Sequence, residues 1–389
     1  MATNDKDSKA TINLSRRDFL GLAGTTGAVL AMGSSGSARA AEVDPAARST
    51  ALDTRLVTEY GARVPIVSAG MAFVSLVELP VAVTNAGGIG TYGAAPEPPP
   101  VVDARLSQIR AAAQGPFGVN FIIASSGLGD FTTAAHIEIA AAHRVPVVSF
   151  HWDVPPRDWI DRLHAAGSRV WVQAHDLDFA RRALENGADG IVAQGKSAGG
   201  HNRNSTIPTI ALVRMVRAQL SGECLLLAAG GIADGPSLVA ALGAGADGGW
   251  IGTRFVAARE SHAHPEYKAR LAAAKGPRAT AFSSFFGPEW PGQQQRLLRN
   301  RAVDSPFSTD PPVIGSTLLF PGVVGAPYSM PKYSAVIPTR DTQGDLEEMD
   351  MPCGAESVLH VSGEPSAAEI VAEIVSEAAE ILASGYSGL

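Results

Sequence analysis

Three glycine-rich stretches hold the residues of this sequence best placed to do chemistry. They are Val192-Ala-Gln-Gly-Lys-Ser-Ala-Gly-Gly-His201, Leu227-Ala-Ala-Gly-Gly-Ile232 and Gly249-Trp250-Ile251-Gly252-Thr253. Each begins as a short apolar run and breaks into glycine where a buried strand would leave its sheet. Glycine there lets backbone N–H groups approach a ligand with no Cβ in the way. Successive N–H groups at such turns make an anion cradle, suited to phosphate. His151 closes another apolar run, Val145-Pro-Val-Val-Ser-Phe150. Its imidazole titrates close enough to neutrality to take or give a proton. Asn120, inside Gly118-Val-Asn-Phe121, and Gln194 are amides in buried strands. Left without a partner, each would cost about 1–3 kcal/mol. Each therefore bonds neighbouring backbone or a ligand edge that both donates and accepts.

The elements that must position these groups follow from periodicity. From Val64 onward short apolar runs alternate with helix-period segments, the pattern of repeated strand–helix units on a parallel sheet. Strands are expected over 65–69, 88–92, 117–122, 145–150, 169–174, 190–194, 225–229 and 248–251. Helices are expected over 76–85, 101–112, 132–143, 156–166, 178–186, 207–220 and 236–244. Eight such strands favour an α/β fold of the (β/α)8 TIM-barrel type over an open doubly wound sheet. No G-x-G-x-x-G follows an early strand with an acidic residue about 20 positions on. The cradles then fall after strands six, seven and eight, where this barrel usually binds phosphate, and His151 faces the mouth. An imide-bearing flavin ring suits the amides of Asn120 and Gln194.

Two turns, Asn186-Gly-Ala-Asp-Gly190 and Gly243-Ala-Gly-Ala-Asp-Gly248, place an aspartate just before a buried strand and are read as structural. His201 shapes the cradle or contacts its anion, and Lys196 faces phosphate or solvent. His136, His143, His262 and His264 are read as solvated. Domains are expected as a barrel over 64–275, an irregular Pro-, Gly- and Ser-rich insertion over 276–364 across the mouth, and a closing helix over 365–384. Ile370, Ile374, Ala378 and Ile381 form one stripe of that helix.

Ser15-Arg16-Arg17-Asp18-Phe19-Leu20 has a twin-arginine pattern, followed by a weakly apolar run to Met32 and by Ser37-Ala-Arg-Ala40. Residues 1–40 thus read as a twin-arginine signal peptide, with 41–63 a linker, and predict export of a folded, cofactor-loaded protein to the periplasm. The run is too short to span a bilayer. With a net charge of −7, nucleic acid and anionic membrane surfaces are poor partners. Cys224 and Cys353 are the two cysteines. No Cys/His cluster has zinc-ligand spacing, so no metal is expected.

Ala69-Gly-Met71, Asn85-Ala-Gly-Gly-Ile-Gly90, Phe117-Gly-Val-Asn120, Ser149-Phe-His151, Gln194-Gly-x-x-Ala-Gly-Gly-His201, Ala229-Gly-Gly-Ile-Ala233 and Gly252-Thr253 resemble, in that order, the nitronate monooxygenases. The resemblance covers about Val64 to Ala274 and implies an FMN-binding barrel that oxidises alkyl nitronates with molecular oxygen, releasing nitrite and a carbonyl compound. Carried over by position, it implies that Ala69, Gly70 and Met71 line the flavin, with Asn120 and Gln194 on its polar atoms. Gly199, Gly200, Gly231, Gly252 and Thr253 would hold the phosphate beside Trp250 and Ile251. His151 would be the base or the partner of the substrate anion. Two positions depart from the family pattern: Gly70 stands where proline is usual, and Trp152-Asp153 where Phe-Gly is common. An NAD(P)H-dependent FMN reductase acting on quinones or enoyl thioesters, and a non-catalytic exported flavin-binding protein, are the alternative readings.

Overall fold

The computed structural model describes residues 52–126, 129–220, 222, 224–321 and 327–384. The twin-arginine stretch and the positions expected for cleavage lie outside the described residues. Eight parallel strands are formed: β1 (Ile66–Ser68), β2 (Gly90–Gly93), β3 (Phe117–Ile122), β4 (Val147–His151), β5 (Arg169–Ala174), β6 (Gly190–Gln194), β7 (Leu225–Ala229) and β8 (Gly248–Ile251). They lie in the order β1-β8-β7-β6-β5-β4-β3-β2. A parallel bridge between Val67 and Ile89 brings the two edges together and closes the barrel. Helices α1 (Glu78–Ala86), α2 (Pro99–Ala112), α3 (Ala134–Ala142), α4 (Arg157–Ala165), α5 (Leu177–Glu185), α6 (Thr209–Gln219) and α7 (Gly235–Gly243) connect them in turn.

The strands are apolar on both faces because both are covered. Val67, Val147, Trp171, Val192, Leu225, Leu227 and Trp250 point inward and form one cluster with Leu56 and Ala62, which come from the segment before β1. Their neighbours Ile191, Ala193, Leu226, Ala228 and Ile251 point outward and pack with helix residues such as Leu212, Leu238 and Ile374. Burial at about 25 cal/mol per Å² of apolar surface supplies the drive for both layers. Inside, Trp171 meets Tyr60 at 5.3 Å and Trp250 at 6.4 Å between ring centroids.

The two aspartate turns have a structural explanation. Asp189 accepts the Val170 N–H of β5 at 2.7 Å, and Asp247 accepts the Leu226 N–H of β7 at 2.8 Å. Each carboxylate satisfies a donor at the start of the neighbouring strand that the ladder leaves open.

A further helix, α8 (Pro265–Ala273), and the long segment after it separate β8 from α9 (Ala367–Ala383). The closing helix α9 packs against α7 and α1 and buries Ile370, Val371, Ile374, Val375 and Ala378. It therefore fills the eighth helical position of the barrel, and residues 252–366 form a loop that leaves and re-enters at the C-terminal face of the strands. Ser366 and Glu369 start α9 with a reciprocal capping box. Within the loop, β9 (Thr280–Ser283) pairs with β10 (Gln295–Leu298), and β10 pairs in turn with Gly200–His201 after β6. A second sheet sets β11 (Val313–Leu318) between β12 (Pro327–Pro331) and β13 (Gln343–Gly344).

Candidate active site

A cavity of about 290 Å³ opens at the C-terminal ends of the strands. Ala69, Gly70, Met71, Asn120, His151, Gln194, Gly199, Gly200, Gly231, Trp250, Gly252 and Thr253 all line it. Ile251 is the exception among the expected cofactor residues. Neighbouring residues of a strand face opposite ways, so Trp250 looks into the barrel while Ile251 packs between barrel and helices. Its carbonyl is taken up by the neighbouring strand end, accepting the Ala69 N–H at 2.8 Å.

The floor is an amide network. Asn120 Oδ1 accepts from Ser149 Oγ at 2.9 Å and from Gln173 Nε2 at 3.1 Å, and Asn120 Nδ2 donates to the Gly70 carbonyl at 3.3 Å. The Asn120 oxygen is thus engaged by protein, and one N–H is left to point elsewhere. Gly70 is required by this packing, since a Cβ there would lie 2.3 Å from Asn120 Cβ. Gln194 Nε2 donates to the His201 carbonyl at 3.2 Å and ties β6 to its own loop.

The cradle is assembled from three strand ends and from the distant segment around Cys353. A Cβ on Gly199 would come within 2.5 Å of the Cys353 carbonyl carbon. Thr253 Oγ1 accepts the Gly354 N–H at 2.9 Å, which locks β8 to the same segment. Gly230 and Gly231 both take positive φ, +109° and +78°. Lys196 is exposed and its ammonium lies over the Phe282 ring at 5.9 Å, away from the cavity lining.

His151 sits at the end of β4 with Nδ1 buried and without a protein partner. Burial first, then the neighbouring His201 and Arg203, push its pKa down to about 3, so the imidazole is neutral at neutral pH. Burial likewise lowers His201 to about 4, and its Nε2 is also buried and unpartnered. An aromatic wall stands beside them: Trp290 lies 4.8 Å from His201 and 5.3 Å from Trp152, and Trp152 lies 5.9 Å from His151. Trp152 takes φ +83°, an uncommon conformation for a bulky residue. Arg203 holds it there, donating to the Trp152 carbonyl while its guanidinium lies over the indole at 5.1 Å. Asp153 is exposed and accepts the Val154 N–H at 2.8 Å, so its carboxylate caps the turn and does not act on His151.

Several residues of the cavity carry no expectation from sequence: Gln173, Trp290, Gln295 and Asp350. Gln173 could have been found, because an amide in the apolar strand 169–174 is the same signal that marks Asn120 and Gln194. The others come mainly from a segment with no periodicity to place them. Three histidines also need correction, His143 among them, its side chain 15% exposed with Nε2 2.6 Å from Asp103 Oδ1. His136 is 3% exposed, its Nε2 lying 3.0 Å from the Glu97 carbonyl, and His262 is largely buried against Asp341 at 3.1 Å. His136 belongs to a buried scaffold in which Glu97 bridges Arg105 and the Tyr92 hydroxyl, just beyond Ala95 and Pro96 of the cavity wall. Among the described residues no group of three or more His, Cys, Asp or Glu is placed to hold a metal ion.

The sequence pattern of the family described as nitronate monooxygenase matches residues 54–377. A nitronate monooxygenase of Pseudomonas aeruginosa is 34% identical over 266 residues, 58% of this chain and 74% of that protein. FabK of Thermotoga maritima superposes with a TM-score of 0.69 at 27% identity, over 86% of this chain and 99% of the other. A nitroalkane oxidase of Streptomyces ansochromogenes does so with a TM-score of 0.66 at 27% identity, over 83% and 98%.

Proposed function

This chain belongs to the nitronate monooxygenase family and is an oxidoreductase, and we propose that it oxidises alkyl nitronates with molecular oxygen to a carbonyl compound and nitrite, with flavin mononucleotide as cofactor. The observation that carries this reading is the convergence of a glycine cradle, an amide floor and a neutral imidazole with an unpartnered Nδ1 on one cavity. The residues fit the cofactor: Gly199, Gly200, Gly231 and Gly252 line the cavity with backbone and no Cβ, which leaves room for a phosphate. The free Asn120 N–H and the Gln173 amide would supply polar contacts to the edge of the cofactor's ring.

When bound, flavin mononucleotide would take electrons from the substrate and pass them to oxygen. Gly199, Gly200, Gly231, Gly252 and Thr253 would hold its phosphate, with Ala69, Gly70 and Met71 against the ring. Neutral His151 accepts a proton at Nδ1 from the carbon α to a nitro group, which extends the substrate range to neutral nitroalkanes. Once an anion lies beside it, Coulomb attraction raises the imidazole pKa, and the imidazolium then holds that anion. Trp290 lines the same corner, with Trp152 packed against it at 5.3 Å.

The visible spectrum of the purified protein tests the cofactor. Oxidised-flavin peaks, with FMN released on denaturation, are expected; a colourless protein that cannot be loaded with FMN overturns the reading. Anaerobic bleaching by propionate-3-nitronate separates it from a reductase, which NADH or NADPH would bleach instead. We further propose periplasmic residence after loading in the cytoplasm, based on Arg16 and Arg17. Replacing both arginines with lysine is expected to retain the protein in the cytoplasm, and unchanged export would refute this.

A further inference from the structure

One carboxyl of the cavity has no part in the chemistry above. Asp350 is 2% exposed and lines the cavity. Gln295 Nε2 donates to its Oδ2 at 2.7 Å, whereas Oδ1 is buried with no protein partner. The backbone is pinned on both sides: Asn300 Nδ2 donates to the Met349 carbonyl at 2.7 Å, and the Leu298 N–H to Met351 at 2.9 Å. The Tyr267 hydroxyl holds the Pro352 carbonyl one residue further on. The side chain is therefore presented in one orientation. Among the described residues no cation pairs with it. The ionisable groups that face it, Tyr267 from α8 and Cys353, are both kept neutral by burial. A carboxyl in such a place keeps its proton to higher pH than usual, and burial pushes its pKa up to about 8 against the Gln295 bond. Because Oδ2 accepts from Gln295, the proton belongs on Oδ1, the buried oxygen with no protein partner.

We propose that Asp350 is a specificity-determining residue whose Oδ1–H donates a hydrogen bond to an anionic oxygen of the bound substrate, a nitronate or a carboxylate. This rests on the reading that the cavity is the substrate site. A neutral acid is a donor without a counter-charge, so it selects an acceptor oxygen. Once ionised, the same group repels the anion.

Equilibrium binding of benzoate, a planar carboxylate that is not turned over, tests this on the FMN-loaded protein with Asp350→Asn and Asp350→Leu. An asparagine amide still accepts from Gln295 and donates into the cavity, and it cannot ionise. For the wild type, Kd is expected to be level below about pH 7 and to rise about tenfold per pH unit well above pH 8. Asp350→Asn should bind within about threefold of wild type at pH 6 and stay level. Asp350→Leu should bind about tenfold or more weakly throughout. The proposal is overturned if Asp350→Asn keeps the alkaline loss, if Asp350→Leu binds like wild type, or if wild-type binding is independent of pH or absent. It is equally overturned if the flavin spectrum without benzoate titrates near pH 8 in the wild type and not in Asp350→Asn while benzoate affinity is unaltered, since Asp350 would then face the cofactor. Because no turnover is measured, failure of the nitronate reaction leaves this result readable.

Discussion

His151→Ala is expected to keep its bound FMN and to lose about 10²–10⁴-fold of its turnover of nitroalkanes, the usual contribution of a positioned proton acceptor. FMN is retained because the cradle is built from other residues, Gly199 to Gly231 and Gly252 to Thr253, and the amide floor from Asn120, Gln173 and Gln194. Loss is large because His151 Nδ1 is a buried atom with no other partner in the site. The comparison of a neutral nitroalkane with its nitronate sharpens the result. A preformed nitronate needs no proton removed and should lose less. Equal turnover of the nitroalkane by variant and wild type would remove His151 from the mechanism. The same residue carries a stability signature. His151 and His201 remain neutral in the fold, their pKa values pushed down by burial to about 3 and about 4. The unfolded chain protonates its histidines below about pH 6.5, so it binds more protons than the fold in acid. Stability is whole above that pH and falls as pH drops toward 4, by up to about 1.4 kcal/mol per unit for each such group. Thermal unfolding of His151→Ala should show a shallower acid slope than the wild type.

Gly230→Ala is expected to yield a destabilised protein that retains little or no FMN. Two costs combine at this position. The backbone is held at φ +109°, where an L side chain is strained by about 1–3 kcal/mol. A Cβ would also lie 2.5 Å from the backbone nitrogen of Ala198 in the neighbouring cradle loop. That contact sets the new Cβ against backbone, so relief requires moving the β6 loop away from the β7 end, which opens the cradle. Gly231→Ala is the internal control. Its φ is +78° but its Cβ would meet nothing closer than Ser197 Cβ at 3.6 Å. It should cost about 1–2 kcal/mol in stability and keep a larger share of FMN. Paired FMN content and unfolding temperatures test the contrast; Gly230→Ala with wild-type flavin content would show that the loop is not held to the geometry described.

The barrel was legible because its signals are local. Apolar runs of four to six residues, separated by helix-period segments, set β3, β5, β6, β7 and β8 to the residue. Glycine clusters at their ends marked the cradle for the same reason, since a turn that needs an open backbone declares it in the sequence. The stripe of α9 was equally clear, yet its place as the eighth helix of the barrel, more than a hundred residues after β8, depends on packing against α1 and α7. Asp153 shows what adjacency in sequence leaves open: it follows His151 by two residues, but the turn directs its carboxylate to the Val154 N–H.

What the sequence by itself determined is the set of strands, the end of the barrel at which the cavity opens, and His151, Asn120, Gln194 and the glycines among the residues that line it. Each is encoded in fewer than ten consecutive positions. Only the tertiary structure decided which of Trp250 and Ile251 faces the cavity, because the pleat is set by pairing with β1 and β7. It alone brought Trp290, Gln295 and Asp350 to the same cavity. Their segment has no hydrophobic period, and it is positioned by the pairing of β10 with Gly200–His201 and by the contact of Gly354 with Thr253. Those contacts span from about ninety to a hundred residues of chain, and no local propensity can specify an interaction over that distance.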